Sequence, residues 1–86
     1  MELNTAGPWT QQGPDKWVRT HPRGIIKEAV GWVEERPYAS GQWAAHAAGP
    51  NGTDVVQVVG HLVSFEEAKA AVDAWLVANG WALEGA

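Results

Sequence analysis

From Asp15 to Thr20 the chain alternates, with Trp17 and Arg19 on one side of an extended segment and Lys16, Val18 and Thr20 on the other. That period of two is the signature of a half-buried strand. His21-Pro22-Arg23-Gly24 reads as a tight turn, since proline presets one dihedral and glycine supplies a permissive one. The β-branched run from Ile25 to Val33 is the expected return strand, with Gly31 marking a bulge or the strand's end. Glu34 to Gly41 is polar and broken by Pro37 and Gly41, so it reads as a connection. Gln42 to Ala48 alternates again, setting Trp43, Ala45 and Ala47 against Ala44, His46 and Ala48. Gly49-Pro50-Asn51-Gly52 is the strongest turn signal in the chain, and Val55 to Leu62 follows as the partner strand of a second hairpin.

The period then changes. Ser64-Phe65-Glu66-Glu67 has the form of a capping box, in which the serine hydroxyl accepts from the amide three residues on and the glutamate reaches back. Phe65, Ala68, Val72, Trp75, Leu76 and Asn79 recur at spacings of three and four, leaving Glu66, Lys69, Ala70, Asp73 and Val77 towards solvent. Glu66 with Lys69 and Lys69 with Asp73 are spaced as ion pairs along this helix. Gly80 falls where a left-handed residue ends a helix, and Trp81 and Leu83 are placed to fold back over it.

These elements predict an α+β fold, an antiparallel sheet of three to four strands packed on one C-terminal helix, over residues 15–86. Residues 1–14, with Gly7-Pro8 and Gly13-Pro14 and no periodicity, read as a flexible arm that Trp9 could pin. One helix covers one face of such a sheet. Trp17, Trp43 and part of the Val55–Val59 run are expected to meet Phe65, Val72, Trp75 and Leu76 there. The opposite face would present Val18, Ala44, His46, Gln57 and His61, the candidate partner-binding residues.

Composition narrows the uses of such a fold. With 86 residues there is room for one core only, and with no cysteine neither disulfides nor thiolate metal sites can brace it. Six tryptophans supply the packing area instead. The N-terminus lacks the basic start and apolar run of a secretory signal, and no apolar stretch is long enough to span a bilayer; with the lack of cysteine, a cytoplasmic protein is expected. Asn51-Gly52-Thr53 is accordingly read as a turn and not as a glycosylation site.

The net charge of −4 lies entirely in the second half, where Lys69 faces Asp54, Glu66, Glu67, Asp73 and Glu84. Lys16, Arg19, Arg23 and Lys27 form a basic cluster around the first turn, and they are the residues a nucleic-acid reading would use. That reading is the weaker one, since the helix N-terminus carries two acids where a phosphate would sit. His21, His46 and His61 lack ligand spacing, so no metal and no other cofactor is expected. Ser64 is explained by capping, and Glu34-Glu35 by a solvated run. No phosphate-binding loop occurs, and no catalytic residue is assigned.

The order Trp17-Val18-Arg19, the Pro22-x-Gly24 turn, Trp43 in a later strand and Ser64-Phe65-Glu66-Glu67-Ala68-Lys69 opening the last helix resembles a loose group of small proteins encoded by bacteriophages and prophages. The resemblance spans about residues 15–80 and excludes the arm and Trp81. It implies a sheet-plus-helix fold without catalytic residues. It also implies that the cell is a bacterial host, and a protein-binding accessory role there, such as inhibition of a host defence or transcription complex. A homodimeric structural protein and a weak nucleic-acid binder are the alternatives.

Overall fold

A computed structural model of the chain describes residues 4–20, 29–48 and 55–84. Strands β1 (Asn4–Ala6), β2 (Thr10–Gly13), β3 (Lys16–Thr20), β4 (Ala29–Arg36), β5 (Ala39–Ala48) and β6 (Val55–Gln57) precede helix α1 (Phe65–Ala78) and a last strand, β7 (Trp81–Leu83). A five-stranded antiparallel sheet runs in the order β2-β3-β4-β5-β6, and β1 pairs in parallel with β7 in a separate two-stranded sheet. The expected α+β class is therefore found, with one strand more in the main sheet than the longest expectation.

The helix forms where its signals lie. Ser64 Oγ accepts from the Glu67 amide at 3.2 Å, and Gly80, at φ 87°, ends the helix with its amide on the Val77 carbonyl. Ala68, Val72 and Leu76, spaced by four, make the stripe that faces the sheet, and all three are fully buried. Beneath them lie Val33, Trp43, Ala45 and Ala47, with Ala6 and Trp81 closing the same core from the two-stranded sheet. Burying a side chain the size of Val33, Val72 or Leu76 contributes about 1.5–3 kcal/mol each. Small residues set how closely the layers approach. A Cβ on Gly31 would lie 2.5 Å from Val72 Cγ1, so α1 rests directly on the β4 backbone there.

Three expectations about the strands are corrected. Residues 4–13 are not an arm outside the domain: they supply β1 and β2. Short polar strands carry little periodicity of their own, and here their partners, β7 and β3, define them. The segment from Glu34 to Gly41 is not all connection, because β4 continues through Arg36 and β5 begins at Ala39, leaving only Pro37 and Tyr38 in the turn. Glu35 makes this possible, its carboxylate accepting from the Gly41 amide at 2.6 Å, where φ is +79°.

The third correction concerns β6, which ends at Gln57 and not near Leu62. The Val58 amide still reaches the Ala45 carbonyl, but the next pairing joins Trp43 to Val63, so residues 59–62 bow out of the ladder. Gly31 does not end β4 but does mark a bulge, as expected, although it is not itself the extra residue. Val30 is that residue, lying between the Thr20–Ala29 and Arg19–Gly31 pairs. The expected turns at 21–24 and 49–52 lie outside the described residues.

Candidate functional site

Alternation along β3 sends its residues to opposite faces, and the two faces have different contents. Arg19 points to the helix side, where its side chain is 2% exposed. Its Nε donates to Asp73 Oδ1 at 2.8 Å and its Nη1 to the carbonyls of Gly7, at 2.7 Å, and Glu84, at 3.1 Å. Trp9 covers the guanidinium from 5.2 Å and gives its own Nε1 hydrogen to Asp73. One buried cation thus ties the sheet to α1 and to the residues that directly follow both strands of the two-stranded sheet. A charge so deeply buried is tolerated only when it is paired and its donors are satisfied. Arg19 is therefore withdrawn from the nucleic-acid reading, which needs its charge at the surface. Asp73, expected towards solvent beside Lys69, is engaged by Arg19 and Trp9; Lys69 lies over the Phe65 ring instead.

The face turned away from α1 is organised by the strand register. Thr10, Val18, Trp32, His46 and Gln57 are successive cross-strand partners from β2 to β6. Lys16, Glu34 and Ala44 form the adjoining row. Five of the six tryptophans belong to the helix-side core or pack against it; Trp32 does not. Its ring stacks on the His46 imidazole, with centroids 5.3 Å apart and planes inclined by 16°. Lys16 Nζ stands 5.7 Å from the Trp32 ring and 3.7 Å from Glu34 Oε1, with both of those charged side chains more than a third exposed.

His46 is half-buried and its Nδ1 is enclosed without a hydrogen-bond partner among the described residues. Burial first, and then the charges of Arg36 and Lys16, hold the imidazole below its ordinary pKa of 6.5, against an opposing pull from Glu34.

Of the residues expected on this face, the structure brings together Val18, His46 and Gln57 in one row and Ala44 in the next. Val18 and Ala44 are on the expected face but are buried, at 3% and 1% exposure, so they support it and do not present a contact surface. Gln57 is exposed. His61 is exposed too, but on the segment that leaves the ladder at the β6 edge, outside the cross-strand rows. Trp32, a candidate only for the nucleic-acid alternative, and Arg36 were not placed on this face. Their signal was present in the alternation itself, since Trp32, Glu34 and Arg36 continue the β4 phase that faces away from Gly31 and Val33.

Of the basic cluster, Lys16 is half-exposed and engaged with Glu34 and Trp32; Arg23 and Lys27 lie outside the described residues. Glu34 and Glu35, adjacent on one strand, turn to opposite faces and serve Lys16 and the Gly41 amide, respectively. No cluster of metal-ligating side chains occurs among the described residues, and none of their helices is long and apolar enough to cross a membrane. No family model, curated protein or solved structure matches the chain.

Proposed function

We propose that this chain is a small protein-binding accessory module that recognises its partner through the helix-free face of β3, β4 and β5. One observation carries the reading: Trp32 is the tryptophan left out of the core, held half-buried beside His46 on a sheet face over which no described element is layered. Aromatic side chains held rigid by stacking supply large contact area at little entropic cost, which is why they anchor protein interfaces. Trp32, His46 and Gln57 would make the contact, with Lys16, Glu34 and Arg36 as a polar rim.

The resemblance to small phage proteins makes a host defence or transcription complex the class of target, with the chain acting as an inhibitor by occupancy. Catalysis has no part in this reading. Nucleic-acid binding loses support from the burial of Arg19 and from the acidic second half of the chain.

The test is capture from a nuclease-treated bacterial lysate by tagged wild type, His46→Glu, Gln57→Lys and, from the exposed side of α1, Val77→Glu. Circular dichroism and urea melts establish that each variant folds. A protein retained by wild type and Val77→Glu but lost by the two sheet-face variants is the expected result. Equal retention by all four, or recovery of the chain's own copies alone, would contradict the reading.

A further inference from the structure

Among the described residues, the helix-free face contains one group whose charge is not fixed near neutral pH, and the structure packs that group in a way that suits only one of its protonation states. Neutral imidazole has one N–H and one bare nitrogen. The enclosed Nδ1 of His46 meets no donor or acceptor among the described residues, so it is best left bare, with the hydrogen on Nε2. A protonated ring would carry a hydrogen on each nitrogen, and the one on Nδ1 would be enclosed without an acceptor.

The charges around the ring point the same way. From β3, Lys16 already stands over the Trp32 indole, so imidazolium would add a second cation to one π-system. From β4, Arg36 repels a charged His46, while Glu34, the acid on that strand that favours it, is engaged by Lys16. From β6, the residue paired with His46 is uncharged Gln57. Desolvation of the half-buried ring adds to the preference for the neutral form.

We propose that the Trp32–His46 stack is a proton-sensitive latch: neutral His46 holds Trp32 in place on the helix-free face, and taking up a proton drives the imidazole out of the stack and releases Trp32. Linkage fixes the direction. Between the folded pKa and 6.5 the unfolded chain binds more protons than the folded one, so this contribution to stability is complete above 6.5 and is lost as pH falls through that window. The face that serves recognition would then be intact at neutral pH and altered in a mildly acidic compartment or medium.

The experiment needs no partner, so its outcome is independent of the binding proposal. Imidazole and indole resonances of the full chain are followed by NMR from about pH 8 to about pH 4.5, in wild type and His46→Gln. The expected result is a His46 midpoint below 6.5. The Trp32 indole resonance should move with the same midpoint, and the His46–Trp32 ring cross-peaks should disappear over that range. In His46→Gln the Trp32 movement should be absent. The cross-peaks are read in wild type alone, so a poorly folded variant does not remove the test. A midpoint at or above 6.5, or cross-peaks that persist unchanged after His46 has titrated, would overturn the latch.

Discussion

Lys16 and Arg19 stand three residues apart on one strand, each beside an acid and an indole, yet they belong to different parts of the molecule. Arg19 Nε lies 2.8 Å from Asp73, with its side chain 2% exposed, and also satisfies two backbone carbonyls. Lys16 lies 3.7 Å from Glu34, with both side chains more than a third exposed. The first pair holds layers together; the second dresses a surface. Alternation alone separates them, and it does the same for the tryptophans, placing Trp17 against Phe65 on the core side and Trp32 against His46 on the other. Residue type therefore says little about role in a sheet covered on one side, whereas phase says a great deal.

The contrast can be broken most strongly at Asp73. Asp73→Ala leaves the Arg19 guanidinium buried without its counter-charge and should cost about 3 kcal/mol in urea unfolding. A loss comparable to that of a surface pair would show that the clamp is not structural. Gly31→Ala comes next. Its methyl must displace Val72 or the helix, and about 1–3 kcal/mol of destabilisation is expected, with α1 amide resonances shifted in NMR spectra. Ser64→Ala removes the N-cap acceptor and should lower the urea midpoint by the equivalent of about 1 kcal/mol. The smallest effect belongs to Lys16→Ala, at under about 0.5 kcal/mol, and a modest salt concentration should erase it.

Much of this architecture was legible in the residues. The capping serine, the stripe of Ala68, Val72 and Leu76, the terminal Gly80 and the opposed faces of β3 and β5 all stand where their periodicities put them. The buried role of Arg19 was implied by the same alternation, since Trp17 in the core requires Arg19 to face the core as well. What hid it was the partner, because Asp73 lies 54 residues away at the margin of a helix stripe. Strands β1 and β2 were illegible for another reason. They are three and four residues long, β1 set by pairing with β7 at the far end of the chain and by the Arg19 bonds to Gly7 and Glu84, β2 by its hairpin to β3, with no pattern of their own to announce them.

The candidate face was half legible. Its phase was correct, but the small residues Val18 and Ala44 proved to be its buried floor, while Trp32 and Arg36 had been assigned to a strand end and a loop. The β6 edge shows a similar limit. The bow at residues 59–62 interrupts a β-branched run that reads as continuous strand, and it blunts an edge that could otherwise pair with another chain.

The claim on which recognition depends is that one face of the sheet is covered by α1 and the other is open in the free protein. A neutral, water-soluble nitroxide added to the isolated chain tests it directly, through the broadening of each tryptophan and histidine ring signal in NMR spectra. The expected result is strong broadening at His46 and Trp32, little at Trp43 and Trp81, and no change in this pattern on tenfold dilution. Trp32 protected as well as Trp43, or exposed only on dilution, would mean that this face is already covered, and the division between the two faces would be wrong.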